Sequence, residues 1–262
     1  MNDILNLSGK VALVTGAGQG VGEQIARHFA GHDATVIVND FHLERAEVVA
    51  ASIRDGGGKA FAVQADVSDP HSVKRMIDKA IELAGPVDVL VNNAGNNGAA
   101  PSADIRKPFW EHGREVWNSA VEVNFYGVIH CSSACIAHMI ERKGGRIITI
   151  ISDAGRVGEP GMEIYSGAKA GAAGFMRGIA RTLGRHQITA NCVAISATAT
   201  PFTEKALSAD PERLKKMMEK YVIRRPGRPD DVANMVLFLA SDASSWITGQ
   251  TYAVNGGFSF GL

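Results

Sequence analysis

The chain has 262 residues, 45% of them hydrophobic, enough to bury the core of one α/β domain. Lys plus Arg and Asp plus Glu each total 27, so the formal net charge is zero and no basic field exists to attract nucleic acid or an anionic membrane. The opening MNDILNLSGK lacks the charged-then-apolar pattern of an export signal, and no apolar run is long enough to cross a bilayer, so the expected setting is the cytoplasm.

Lys10 to Thr15 (KVALVT) is β-branched with no polar alternation, the pattern of a strand buried on both faces of a parallel sheet. The turn T-G-A-G-Q-G-V-G follows, and Val21, Ile25 and Phe29 then keep helical spacing to Ala30. Strand, tight turn and helix in that order offer a pyrophosphate the free N–H groups and positive dipole of a helix start. Gly16, Gln19, Gly20, Val21 and Gly22 are the candidate contacts, although the strict G-x-G-x-x-G spacing is broken at Val21.

A second strand, Ala34 to Asn39, runs into Asp40, at the distance from the turn where a carboxylate meets the adenosine ribose. Such a carboxylate accepts from a 2′-hydroxyl and repels a 2′-phosphate, and Phe41 rather than a cation follows, which favours NAD over NADP. His42 and Arg45 are the nearby groups that could alter that preference, and the alternative role for Asp40 is to cap the next helix. That helix is expected over Leu43 to Asp55, closed by Gly56, Gly57 and Gly58. Next come a strand at Ala60 to Gln64, Asp66, a helix at Pro70 to Leu83 and a buried strand at Val87 to Asn92. The alternation describes a single domain over 1–262, a doubly wound parallel sheet of Rossmann-like type with helices on both faces. Asn92, Asn93, Ala94 and Gly95 fall at the carboxyl edge, where such sheets take their ligands.

Residues 96–111 are long for a connection and read as part of a substrate rim. A long helix is expected from His112 to Glu141, with Asn124 midway, a poor position for Asn unless its side chain has a task or fills a kink. Cys131, Cys135 and His138 share a face of this helix, but no fourth ligand accompanies them; the cysteines read as reduced core thiols and no metal is expected. Arg146 to Ile151 is the fifth strand and delivers Ser152 to the same edge. After a turn at Asp153 to Gly161 comes a helix with Tyr165 and Lys169 one turn apart, able to act on one spot. A fixed cation favours phenolate, and moving a phenol down from about 10 by roughly 3 units takes about 4 kcal/mol. Gly167, Gly171, Gly174 and Gly178 weaken this helix unless another backbone comes close, so a second subunit is expected against that face. A sixth strand (Ile188 to Ala194), a loop (Ile195 to Asp210), a charged helix (Pro211 to Lys220), a helix capped by Asp230 and running through Leu239, and a strand (Thr251 to Val254) complete the order.

Taken together, the chain resembles the short-chain dehydrogenase/reductase family in its compact single-domain form, across essentially its whole length. The matches are Thr15, Gly16, Gly20 and Gly22 to T-G-x-x-x-G-x-G; Asn92 to Gly95 to N-N-A-G; and Asn124, Ser152 and the Tyr165–Lys169 pair to the catalytic set. The resemblance implies that Tyr165 is the acid/base on the substrate oxygen and that Ser152 hydrogen-bonds this oxygen. It further implies that Lys169 lowers the tyrosine pKa and holds the nicotinamide ribose, and that Asn124 anchors a relay water. It also implies Asp66 and Val67 at the adenine, Asn93 near the ribose, Thr198 and Thr200 as cofactor contacts, and a homotetramer. One departure is that Ile195 and Ser196 stand where the family has Pro-Gly, which alters how this loop meets the carboxamide. The expected activity is NAD-dependent interconversion of a secondary alcohol and a ketone. Phe109, Trp110, Met162 and Phe202 in the rim, with loops 96–111 and 195–220, lean toward a hydrophobic or cyclic substrate, including one carried on coenzyme A. The alternatives are a 3-oxoacyl thioester reductase using NADPH, a carbon–carbon double-bond reductase or dehydratase, and a non-catalytic NAD-binding regulator.

Overall fold

The computed structural model describes residues 3–95, 104, 107–200, 203 and 209–261. Most of the 96–111 rim, and Phe202, lie outside them. Among the described residues the strands are β1 (Val11–Val14), β2 (Thr35–Asp40), β3 (Lys59–Gln64), β4 (Val89–Asn92), β5 (Gly145–Ser152), β6 (Ile188–Ile195) and β7 (Thr251–Val254). They form one seven-stranded sheet in the order β3-β2-β1-β4-β5-β6-β7, and every pairing is parallel.

Both faces of the sheet are covered, which explains the absence of polar alternation in the strands. Ala12 and Val14 face a core built with α1 (Gly20–Gly31), α2 (Leu43–Asp55) and a late helix, α9 (Pro229–Ala240). Val11 and Leu13 face the opposite core, built with α3 (Pro70–Ala84), α5 (Gly127–Glu141) and α7 (Glu163–Leu183). The strand order reverses between β1 and β4, each hydrogen-bonded neighbour of the other, and a crevice at the carboxyl ends is the consequence.

Three expectations need correction. The helix expected from His112 is preceded by a 3-10 turn (Phe109–Glu111), starts as α4 (Arg114–Val121), passes through a π-turn (Glu122–Tyr126) and resumes as α5. From Arg114 to Glu141 these segments make 28 residues long and apolar enough to span a bilayer. Val128, Cys131, Cys135 and Met139 nevertheless lie buried in the second core. The return segment contains a short helix, α6 (Ala154–Val157), which gives Asp153 and Arg156 a fixed spacing. Finally, Arg228, not Asp230, occupies the N-cap of α9: the Asp231 carboxylate accepts from Arg228 N at 2.7 Å, while Asp230 takes the Gln24 amide at 3.0 Å. The charged segment forms α8 (Pro211–Met218), capped by Asp210.

Candidate active site

The carboxyl edge is assembled by lacing two turns together. Thr15, the residue after β1, is 1% exposed, and its hydroxyl accepts from the backbone N–H groups of Asn93 and Ala94, each at 3.1 Å. In return the Asn93 amide donates to the carbonyls of Thr15 and Gly16, both at 2.9 Å. Gly16, at φ +61°, passes so close that a Cβ there would lie 2.9 Å from the Ala94 Cα. At Gly22 a Cβ would collide with the Asn93 side chain and the Gly16 carbonyl. These glycines are therefore demanded by contact between turn, helix and strand, and Asn93 is largely spent on holding the turns. Gln19 is the N-cap of α1, and no side chain caps the helix there, so its first amides remain available to an anion beside Gly20 and Val21. Thr200 approaches this turn directly: its side chain would be 3.3 Å from a Cβ on Gly20.

Asp40 is 6% exposed; its carboxylate accepts from Gly18 N and from His42 N, both at 3.0 Å. His42, not Asp40, is the N-cap of α2, so the capping alternative does not hold, and the carboxylate is fixed against the glycine turn. Arg45 stands beside it, its Cβ 2.6 Å from where a Gly18 Cβ would be. Asp66 is turned toward Ser68, accepting from its N at 2.9 Å and its hydroxyl at 2.6 Å. Val67 is buried, and its carbonyl pairs with His130 Nδ1 at 3.0 Å.

The four reactive positions converge. Ser152 is the last residue of β5, and its hydroxyl accepts from Ala154 N at 3.1 Å and hydrogen-bonds the Tyr165 phenol. Lys169 is 3% exposed and donates from Nζ to the Ile150 carbonyl at 2.9 Å, with Nζ 5.8 Å from the centre of the Tyr165 ring. Asn124 lies inside the π-turn, fully buried, and its amide donates to the Ala120 carbonyl at 2.8 Å. Gly95 closes the group: a Cβ there would be 2.9 Å from both Asn124 Oδ1 and Lys169 Nζ.

The electrostatics differ from the expectation that the Lys169 ammonium, with one helper, draws the Tyr165 phenol down: the phenol stands above its ordinary value. Burial pushes the Tyr165 phenol up, and the hydrogen bond with Ser152 is what draws it back down. Burial also pushes Lys169 down to about 8. Both charged forms lose hydration in the same pocket, and the ammonium is aimed at a backbone carbonyl rather than at the phenol oxygen.

Two supporting roles escaped the sequence reading, that of Asn92, which was placed among the ligand-facing residues and is buried instead, and that of Asp153. The Asn92 amide donates to Ser132 and Thr149 hydroxyls, each at 3.2 Å, in the dry layer under the edge. Asp153, 1% exposed, accepts from Arg156 (2.7 Å), Asn255 (2.7 Å) and Ser259 (3.0 Å). The available signal was a polar residue inside or directly after an otherwise apolar strand. Of the remaining candidates, Cys131 and Cys135 are buried with their thiols pushed up by desolvation, while His138 faces Glu141 at 3.8 Å. Among the described residues no cluster of His, Cys, Asp or Glu has the makings of a metal site.

A doubly wound parallel sheet with a glycine turn at its switch point and a Ser–Tyr–Lys group on the same edge defines a nicotinamide-dinucleotide oxidoreductase acting on an alcohol/ketone pair. The chain belongs to the short-chain dehydrogenase/reductase family. A family model described as enoyl-(acyl carrier protein) reductase matches residues 16–259. The 7alpha-hydroxysteroid dehydrogenase of Escherichia coli K12 is 37% identical over 260 residues, covering 98% of this chain and 96% of that one. A solved structure of 7alpha-hydroxysteroid dehydrogenase with NADH and 7-oxo glycochenodeoxycholic acid superposes with a TM-score of 0.89 at 38% identity, covering 98% of each chain. The 3-oxoacyl-[acyl-carrier-protein] reductase of a Synechocystis species is 38% identical over 253 residues, 96% of this chain and 97% of that one. Gluconate 5-dehydrogenase of Burkholderia cenocepacia, solved with NADP and tartrate, gives a TM-score of 0.90 at 31% identity over 99% of each chain.

Proposed function

We propose that this chain is an NAD-dependent dehydrogenase of a hydrophobic or ring-bearing secondary alcohol, working as a homotetramer in the cytoplasm. The observation that carries the reading is the grouping of Asn124 and Lys169 against Gly95, with Tyr165 beside Lys169 and Ser152 beside Tyr165, on the edge that also bears the glycine turn. The residues fit a dinucleotide: uncapped amides at the start of α1, a turn whose glycines leave no side chain in the way, and a fixed carboxylate at Asp40. Gly16, Gln19, Gly20, Val21 and Gly22 would hold the pyrophosphate, Asp40 the adenosine ribose, Asp66 and Val67 the adenine. Asn93, Ala94, Gly95, Thr198 and Thr200 would contact the nicotinamide half together with Tyr165 and Lys169. Bound there, the nicotinamide supplies or accepts a hydride.

The chain's own residues handle the oxygen and its proton. Ser152 and Tyr165 bring two hydroxyls to one point, the arrangement that grips a carbonyl or hydroxyl oxygen and orients it. Tyr165 gives the proton in reduction and takes it in oxidation. Lys169 supplies positive charge beneath the ring, and Asn124 holds the far side of Gly95 for the proton's exit. Two hydroxyls aimed at one oxygen support alcohol/ketone chemistry over the double-bond reduction in the family model's description. The experiment is direct: Tyr165→Phe should keep NADH binding by fluorescence titration while turnover falls by about 10²–10⁴. A variant retaining near-normal turnover would remove the assignment.

Asp40 supports NAD, since its carboxylate is fixed where a 2′-phosphate would bring like charge. The exposed apolar side chains of Phe109, Trp110 and Met162, the described members of the expected rim, support a bulky apolar substrate. A second reading, reduction of a 3-oxoacyl thioester with NADPH, is favoured by the identity to the Synechocystis reductase and by Arg45 beside Asp40. Rates with cyclic alcohols and NAD, set against an acetoacetyl thioester and NADPH, separate the two.

A further inference from the structure

β5 and β6 end side by side at Ser152 and Ile195, tied by Asp153 N to the Ile195 carbonyl at 2.9 Å. From this point the chain crosses to the glycine turn, where Thr200 leans on Gly20. Residues 196–200 therefore bridge the gap between the reacting hydroxyls and the pyrophosphate cradle, the stretch over which the nicotinamide half must lie. One side of this bridge is pinned by Gly227, whose N–H donates to the Ala197 carbonyl and whose carbonyl accepts from Ala199 N, both at 2.9 Å. Its root is held by one side chain. The Tyr221 hydroxyl is 2.5 Å from the Ser196 hydroxyl and accepts from Ala197 N at 3.2 Å.

Ile195 and Ser196 have neither the locked φ of proline nor the freedom of glycine, so contacts rather than covalent structure set the torsions at the root. Tyr221 can do so because it is itself fixed. It is 5% exposed, its ring lies 5.0 Å from that of Phe258, and its N–H is tied to Met218 O, at the last residue of α8, at 3.0 Å. We propose that Tyr221 is a positioning residue for the nicotinamide end of the cofactor: through Ser196 and Ala197 it holds the 196–200 bridge in its binding shape. The inference rests on the dinucleotide reading above. It also links the cofactor bridge to the end of α8.

The test compares two probes of the same edge by fluorescence titration and competition: NADH, which spans the whole site, and AMP, which engages only the adenosine end. Tyr221→Phe should weaken NADH about tenfold, the size of a lost buried hydrogen bond, while AMP changes less than about twofold. In a Tyr221→Phe background, adding Ile195→Pro should restore NADH affinity, because φ at the root is then fixed covalently. Unchanged NADH binding, parallel loss of both probes, or failure of that rescue overturns the proposal. Should Tyr221→Phe not fold, Ser196→Ala carries the same test: a selective loss of NADH is expected, and none overturns it. A wild-type chain that binds neither probe overturns the dinucleotide reading itself, a result distinct from wild-type binding with an indifferent Tyr221.

Discussion

Lys169 holds a charge where a charge is costly. Its ammonium is 3% exposed and has the Ile150 carbonyl as its hydrogen-bond acceptor, so burial drops its pKa from 10.5 to about 8. Between those two values the unfolded chain carries a proton that the folded chain has released, and stability therefore rises with pH across that window. Below pH 8 the penalty is fully present. Lys169→Met should accordingly melt higher than the parent at pH 7 in the absence of cofactor. The gain is about 1–2 kcal/mol once the lost hydrogen bond is deducted, and it narrows as the pH approaches 10. The same variant should have lost turnover. Calorimetric scans at several pH values check the sign, and a lower melting temperature at pH 7 would contradict it. At the adenosine end, Asp40→Ala should raise the NADP to NAD ratio of kcat/KM by about 10–100-fold, since a fixed anion is removed and Arg45 remains beside the site. The positions of Tyr165, Lys169 and Asp40 on the carboxyl edge could be read from one chain because each sits at a fixed distance from a strong local pattern. The direction of the Tyr165 shift could not, since it depends on how much water the folded pocket excludes.

At the level of elements, the π-turn at Glu122–Tyr126 decides where Asn124 points. The sequence marked Asn124 as out of place in a helix, and the reason is now visible: its amide donates to the carbonyl one turn back, at Ala120, while its other end meets Gly95. The extra residue in the turn was not legible, because the apolar periodicity on either side survives a single-residue insertion with only a rotation of phase. Asn124→Ala should lower stability by about 1–3 kcal/mol through the abandoned carbonyl and cut kcat more than KM. Thermal melts and steady-state kinetics together test this, and a variant with full kcat would show that the side chain serves the turn alone. Strand positions were legible to within a residue or two because parallel strands covered on both faces are continuous apolar runs bounded by glycine and polar residues.

For the whole molecule, the reversal of strand order between β1 and β4 gathers motifs from distant parts of the chain on one edge. The glycine turn, the Asn92–Gly95 run and Ser152 each end or directly follow a strand, which is why that part of the edge could be read in advance. The ties beneath and behind it could not: Asp153 meets Asn255 and Ser259 across separations of 102 and 106 residues, with no periodic signal to announce the contact. On the opposite side of α7, Gly167 and Gly178 face open space within the single chain, as expected if a second copy covers them. Light scattering should report a four-chain mass, and Gly178→Leu should reduce it; a monomeric parent would remove the homotetramer.

The buried Asp153 carboxylate ties the segment after β7 to the strand end that carries Ser152. Two of its three side-chain donors, Asn255 and Ser259, come from the segment after β7, and it stands one position from Ser152. A break in the chain between Val254 and Asn255 would strand an anion in a dry setting next to Ser152, so turnover should fall before the sheet unravels.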